Sequence, residues 1–574
     1  MLKVNKYLIY TNMRIVFRTF VVMSITVATF GSLAFCSISD EKVDECAKKI
    51  VSIMDNGHKE RKIPGCVLVI VRHDKIVLVK PFGHTSIEKT TPITADTLFP
   101  ISSVSKNITA FLASALEDAG KLKLNDKVRK YDKDFFVHSE EYSKELEIKD
   151  LICHGSGFPH FAANSLWEGK FSKEQTRDAF KYIKQIPGNF RKYYGYQNVF
   201  FGFVGDVLEK ATGKKYEDLV EEYLFNKMNI KNASAIRIGY ENSRWGHIKY
   251  MASRFKYDSN RLGFFTAVGN FIKEIFTFKP MQFVNNYSYY KNGLIEMPDI
   301  GFFHVYPATS GISFSGNEFA KWIQMILLKG KYSDKTIVST NAFKNITSPV
   351  VDMKNIKATD EFFPLDRFPR EELHYGLGTF VAKYADNGKN AHNILFHMGG
   401  VYGATAFFAV CPDEDIGVGV INNLGGTDNT FFAEYMCNNF LDLCFDFSKK
   451  DWVLADTNIQ QKTRKHKLKN DELFSEQLIP KANLSEYEGT FTSDIYGDIK
   501  IVQKDNELIL STGKMSTKLA HVNGNVFSFP QRDMQLSFLD IDEYIAFYPD
   551  NNKKFNTCLI TCFMEGDTHF TRKD

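Results

Sequence analysis

Apolar residues recur along this chain with two different periods, and the places where the period changes outline its organisation. Past Asp40, which can cap a helix, Val43, Cys46, Ala47, Ile50 and Met54 return at three- and four-residue intervals and mark one buried helix face. Pro64-Gly65 breaks that pattern. The apolar run Cys66 to Val71, a turn at Arg72 to Lys75 and the return through Ile76 to Val79 predict a β-hairpin. Further strands are predicted far downstream, at Tyr375 to Tyr384, Asn393 to His397, Gly403 to Cys411 and Ile416 to Ile421, with turns at Asp386-Asn387-Gly388 and Pro412 to Asp415. One antiparallel sheet, assembled from both ends of a single domain, accounts for these segments. Helix-rich sequence fills the interval, and a last amphipathic helix, Phe431 to Phe445, would pack on the sheet. The expected fold class is α+β, an antiparallel sheet flanked by helices.

From Ser448 the chain turns basic and polar, with Lys462-Thr463-Arg464-Lys465-His466-Lys467 at its centre, and residues 448–482 read as a linker. The period then shortens. Alternating segments at Gly489 to Thr492, Asp498 to Gln503, Glu507 to Ser511, Val526 to Phe529 and Tyr544 to Tyr548, separated by Asn, Asp and Gly turns, predict a small β-barrel or sandwich over 483–574. Within the main domain, 40–447, residues 240–298 read as an insertion rich in aromatic and basic residues. There Phe264, Phe265, Val268, Phe271, Ile272, Ile275 and Phe276 share one helical face. Burial on its own domain is the simpler expectation for that face; contact with a membrane or closure over a site is the alternative.

Composition narrows the class. With 44% hydrophobic and 24% charged residues in 574, and 51 Phe and 26 Tyr, the chain can bury a large core and is not a disordered one. A net charge of +4 on this length, without a basic stripe interleaved with aromatics, gives no case for nucleic-acid binding. None of the nine cysteines has zinc spacing, and no metal or cofactor is expected. Lys3, Lys6, Arg14 and Arg18 precede an apolar run from Phe20 to Cys36, so residues 1–36 read as a signal peptide or an N-terminal membrane anchor, and the protein as exported: periplasmic, secreted or membrane-anchored.

Three short motifs carry candidate chemistry. The first is Phe99-Pro100-Ile101-Ser102-Ser103-Val104-Ser105-Lys106, running into the helical pattern Phe111, Leu112, Ala115, Leu116, Ala119. With a helix starting near Ser103, Lys106 lies one turn further on, its amine within reach of the Ser103 hydroxyl. Lysine acts as a base only if burial or nearby positive charge lowers its pKa from about 10.4 toward neutrality. The same spacing recurs at Ser39/Lys42, Ser253/Lys256 and Ser511/Lys514, where a solvated pair is the better reading, so context decides. The second motif is Tyr196-Gln197-Asn198 before another helical pattern: a phenol near Lys106 could relay protons, and a carboxamide could hold a substrate amide. A packed aromatic loop is the bland alternative. The third is His397-Met398-Gly399-Gly400 at the end of a strand. The histidine could bond the Tyr or Ser hydroxyl or the substrate, and the glycines would let a substrate lie along the backbone. The rival match His374-Tyr375-Gly376 precedes the wrong strand.

Taken in this order, the three motifs resemble those of the class C β-lactamase and D-Ala-D-Ala carboxypeptidase family of serine hydrolases. Leu151-Ile152-Cys153-His154-Gly155-Ser156-Gly157, Tyr306-Pro307-Ala308-Thr309-Ser310-Gly311 and Tyr375-Gly376-Leu377-Gly378 match it as well, and the resemblance covers Val43 to Phe445. It implies a β-lactamase/transpeptidase-like fold with an all-α subdomain, Ser103 as acylated nucleophile, Lys106 and Tyr196 as the proton-transfer pair, and substrate contacts from Asn198, His397, Gly399 and Gly400. His397-Met398-Gly399 stands where β-lactamases of the class usually have Lys-Thr-Gly, which looks more like the carboxypeptidase, D-aminopeptidase and esterase branches. The C-terminal segment looks like the lipocalin-like barrel appended to some peptidases of the family. The expected function is hydrolysis of small peptides, D-amino-acid amides or esters through an acyl-enzyme. The alternative is a non-catalytic or weakly catalytic penicillin-binding-like scaffold. Membrane association through the N-terminus and a homo-oligomer built through the barrel are left open.

Overall fold

In the computed structural model the described residues are 38–573, apart from 165–171, 236–243, 278–280, 291–292, 297–305, 355–366, 402, 426–430, 451, 453–481, 513–514, 524, 531–541, 551–553 and 561–567. The N-terminal segment 1–36 and nearly all of the linker 448–482 lie outside them.

The helix expected after Asp40 is α1 (Asp40–Glu60), and Val43, Cys46, Ala47, Ile50 and Met54 are all buried. Its cap is Ser39, one residue earlier than expected, whose hydroxyl accepts from the Lys42 N–H at 3.2 Å; the Lys42 side chain pairs with Asp446. The spacing Ser39/Lys42 is thus a helix start. The apolar run beyond it forms β1 (Gly65–Arg72), every residue of which is buried, and the chain returns along β2 (Lys75–Gly83). Six further strands follow: β3 (Val351–Asp352), β4 (His374–Tyr375), β5 (Phe380–Asp386), β6 (Lys389–Val401), β7 (Ala404–Cys411) and β8 (Ile416–Asn422). The sheet order is β3-β4-β5-β6-β7-β8-β1-β2. Its closing pair is β1 with β8, antiparallel from Cys66 opposite Asn422 to Arg72 opposite Ile416, so the two ends of the domain meet in one sheet as the pattern predicted. The single strand expected over Tyr375 to Tyr384 is two, because the chain turns at Gly378, where φ is +63°.

Strands buried on both faces need a layer on each side. On one side lie α1 and α7 (Phe432–Phe445), which pack on each other and on the sheet. Against the other lies α6 (Gly316–Leu327), which approaches over Gly417 and Gly419 of β8. A Cβ at these glycines would stand 2.5 and 2.6 Å from the Ile323 side chain, so the close approach depends on their absence.

Beside the sheet runs α2 (Ser105–Asp118), whose residues are buried from Ser105 to Leu116, including Lys106, Asn107 and Thr109. A helix buried on all sides must satisfy its polar groups internally. The Asn107 amide donates to the Gly378 carbonyl (3.2 Å) and the Thr379 hydroxyl (2.7 Å) and accepts from the Trp322 indole (2.9 Å). The helical region also contains α3 (Asn198–Thr212) and a hairpin of α4 (Arg244–Leu262) and α5 (Phe264–Thr277). The C-terminal strands, residues 489–493, 497–504, 507–512, 515–523, 526–530, 542–549, 555–560 and 568–572, close an eight-stranded barrel. Tyr487, Phe491, Phe527, Phe547 and Phe555 pack ring on ring in its core.

Candidate functional site

Ser103 sits in a 3₁₀ turn, Ser102–Val104, ahead of α2, so the helix proper starts two residues later than the motif suggests. Ser102 enters that turn with φ +52°, a left-handed conformation that costs a non-glycine residue about 1 kcal/mol. The turn brings Ser103 to the surface of an otherwise buried stretch: its neighbours Ile101, Ser102, Val104 and Ser105 are buried, and Ser103 alone is half-exposed.

Two groups converge on its hydroxyl. Lys106 Nζ lies 2.9 Å from Ser103 Oγ, and the Tyr196 hydroxyl donates to the same oxygen at 2.8 Å. Lys106 Nζ also donates to the Thr309 carbonyl at 3.3 Å and lies 4.8 Å from the centre of the Tyr196 ring. Among the described residues no carboxylate pairs with this amine. Burial holds its pKa well below the usual lysine value, and burial also pushes the Tyr196 phenol up. Both groups are thereby biased toward their neutral forms. A neutral amine has one lone pair for the Ser103 proton and N–H groups for Thr309; a neutral phenol keeps a proton to give.

The loop that carries Tyr196 is tied on both sides. The Tyr196 N–H donates to His160 Nδ1 (3.2 Å), the Gln197 N–H to His154 Nδ1 (3.1 Å), and the Phe161 N–H to the Tyr196 carbonyl (2.7 Å). His154 is fully buried, its ring 4.5 Å from that of Tyr196 and 5.0 Å from that of Tyr375. Because Nδ1 accepts, the remaining proton of the neutral ring is on Nε2. Burial, with Lys106 nearby, keeps its pKa well below the ordinary histidine value.

Asn198 opens α3. Its amide donates to Asn164 Oδ1 at 2.8 Å, its carbonyl accepts from the Thr309 hydroxyl at 2.9 Å, and its own Oδ1 is buried without a hydrogen-bond partner among the described residues. His397, on β6, does not bond the Ser103 or Tyr196 hydroxyl. Its Nδ1 donates to the Met398 carbonyl at 2.7 Å and its Nε2 accepts from the Tyr375 hydroxyl at 3.0 Å. Burial first, then Lys106, pushes its pKa down to about 3, so it is a neutral ring with both nitrogens engaged.

Gly399 lies against the Ser103 turn: a Cβ there would collide with the Ile101 carbonyl and reach 3.0 Å from the Ser103 nitrogen. Gly400 pairs with Thr405 on β7 and is half-exposed beside it. The structure thus gathers Ser103, Lys106 and Tyr196 within hydrogen-bond distance, sets Gly399 against their turn, and holds Asn198 and His397 through Asn164 and Tyr375. His154, Thr309 and Tyr375 occur in stretches that matched the family without an assigned part. Asn164 had no sequence signal. Among the described residues no group of His, Cys, Asp and Glu could hold a metal ion.

Comparisons with known proteins agree with this architecture. A family model described as Beta-lactamase matches residues 50–435. The D-aminopeptidase of Brucella anthropi is 29% identical over 181 residues, 30% of this chain and 33% of that protein. The teichoic acid D-alanine hydrolase of Staphylococcus aureus is 27% identical over 229 residues, 39% of this chain and 51% of that protein. The chain thus spans between a third and a half of the length of these relatives. Among solved structures, the octameric penicillin-binding protein homologue from Pyrococcus abyssi superposes with a TM-score of 0.53 at 17% identity, covering 92% of this chain and all of that one. Its likeness is one of fold. With a family model matched over well more than half of its length and the sheet, helices and motif order in place, this chain belongs to the beta-lactamase family.

Proposed function

We propose that the protein is a serine hydrolase that forms an acyl-enzyme at Ser103 and releases it to water, acting on small peptides, D-amino-acid amides or esters. The observation that carries this reading is the Ser103 hydroxyl held between a desolvated Lys106 amine and the Tyr196 phenol. Lys106 takes the Ser103 proton as Oγ attacks the carbonyl carbon, and the Ser103 N–H with a backbone N–H at Gly400 stabilises the oxyanion. Such a donor is worth about 3 kcal/mol of transition-state stabilisation. The leaving group receives a proton through Tyr196, which the Lys106 ammonium replenishes. Water then attacks the acyl-enzyme by the same groups in reverse.

The Asn198 carboxamide offers its buried oxygen to a substrate amide. His397 offers no positive charge for a substrate carboxylate, which favours amides and esters over efficient β-lactam hydrolysis. The names of the Brucella and Staphylococcus relatives, a D-aminopeptidase and a D-alanine hydrolase, support a D-configured amide or ester substrate. Export, with residues 1–36 as signal or anchor, an independently folding hydrolase unit at 40–447 and assembly through a lipocalin-like barrel at 483–574 belong to the same proposal; the octameric state of the Pyrococcus homologue supports self-assembly as such.

The test is intact-mass analysis after exposure to a fluorophosphonate and to a β-lactam, with a screen of D- and L-amino-acid amides and short-chain esters. One adduct in the parent protein and none in Ser103→Ala is expected, with turnover reduced about 10⁴-fold or more. The same adduct in Ser103→Ala would overturn the nucleophile. An unreactive parent would favour a binding scaffold.

A further inference from the structure

We propose that the helical hairpin Arg244–Thr277 is a docking surface for an anionic lipid bilayer, with the apolar tip Leu262-Gly263-Phe264-Phe265 as the inserting element. The sequence alone favoured burial of this face. In the structure Phe265 is 88% exposed, Phe264 59%, Ile272 50% and Leu262 37%, whereas Ala267 is buried. Gly263, with φ +85°, makes the reversal between α4 and α5 that places Leu262, Phe264 and Phe265 together at one end. Phe264 sits between Phe255 and Phe265, and Phe255 also meets Phe271, so the two helices hold each other through rings while Phe265 is left outside.

The hairpin is fastened to the body behind the tip. The Tyr257 hydroxyl donates to the Gly213 carbonyl at 3.3 Å and accepts from the Lys215 N–H at 3.0 Å, at the end of α3. At about 1.5 Å of rise per residue along α4, the reversal at Gly263 lies roughly 8–9 Å beyond that fastening. No described helix is long and apolar enough to cross a membrane.

Charge selects the lipid. By sequence the hairpin carries Arg244, Lys249, Arg254, Lys256, Arg261 and Lys273 against Asp258 and Glu274, a surplus equal to the +4 of the entire chain. Exposed aromatic and aliphatic side chains beside Lys and Arg are the composition of an interfacial element, in which apolar groups enter the acyl boundary and cations meet lipid phosphates. A second copy of this chain, which would carry the same positive charge, is disfavoured as the partner.

The test uses the full chain with Phe265→Trp, read as the difference in emission from the parent, so that any contact made by the N-terminal segment does not enter the signal. With vesicles of equal parts phosphatidylcholine and phosphatidylglycerol, a blue shift and about twofold quenching by brominated acyl chains are expected. Arg261→Glu, which reverses the charge next to the tip, should raise the lipid needed for half of that response about tenfold. An unshifted, unquenched probe overturns the proposal, and so does a shift that follows protein concentration without vesicles, which would mark self-association. An equal response to pure phosphatidylcholine overturns the charge selection. Ser103 reactivity reports on the proposed hydrolase separately.

Discussion

The Ser103 centre and the Arg244–Thr277 hairpin use similar residue types in opposite surroundings. In the centre, Lys106, His154 and His397 are wholly buried among aromatic rings, and each is held in or biased toward its neutral form. In the hairpin, Phe264 and Phe265 stand in solvent, close in sequence to Arg261. Placing polar groups in an apolar core costs stability and yields altered protonation. Exposing apolar groups costs little in the folded chain and leaves free energy for association. Perturbed titration and rigid hydrogen bonding therefore mark the candidate centre, and unspent apolar surface marks the proposed contact.

The largest effect that would break this contrast is expected at Lys106. Lys106→Met should lower acylation about 10³–10⁴-fold and still raise stability near neutral pH. The buried amine's folded pKa lies below its unfolded value of 10.5, so its contribution is complete only above that value and is lost as pH falls toward the folded one. Methionine removes that penalty, and the gain should shrink as pH approaches 10.5. Urea titrations at neutral and alkaline pH check the sign; normal turnover in the variant would show that another group is the base. In the parent, acylation should rise with pH as the amine loses its proton.

His397 gives the next effect. Its folded pKa of about 3 lies below the ordinary 6.5, so its contribution is full above 6.5 and is lost as pH falls toward 3. At about 1.4 kcal/mol per pH unit, roughly 3 kcal/mol disappears between about pH 6.5 and 4. Denaturant midpoints across that range should fall in the parent and fall less in His397→Gln. Identical acid limbs would mean that this ring is not titrating as a buried group.

Gly399→Ala forces a methyl toward the Ile101 carbonyl and the Ser103 nitrogen, with an expected cost of about 1–3 kcal/mol and a clear loss of acylation rate. Thermal melts with probe kinetics would decide; unchanged kinetics would detach this strand from the Ser103 turn. Smallest of all, Phe265→Ser should shift stability by no more than about 0.5 kcal/mol and leave Ser103 reactivity intact. A large loss of stability would mean that the tip packs on the body.

Most elements of the main sheet and the order of the motifs were legible in local pattern alone. Period and turn chemistry located α1, β1, β7, β8, α7 and five of the eight barrel strands within a few residues, because hydrophobic spacing reports which face is buried. The three-residue spacing placed Lys106 beside Ser103, since one helical turn is a local property. It also assigned too much to Asp40 and too long a strand to Tyr375 to Tyr384. Only the tertiary structure decided the rest. His397 bonds Tyr375, which lies 22 residues away, and Lys106 donates to Thr309, 203 residues away. His154 meets Tyr196 across the loops, and Phe265 is exposed although its helical face reads as core. A period shows that a face is apolar; which partner covers it, or whether any does, depends on long-range packing that no local pattern encodes.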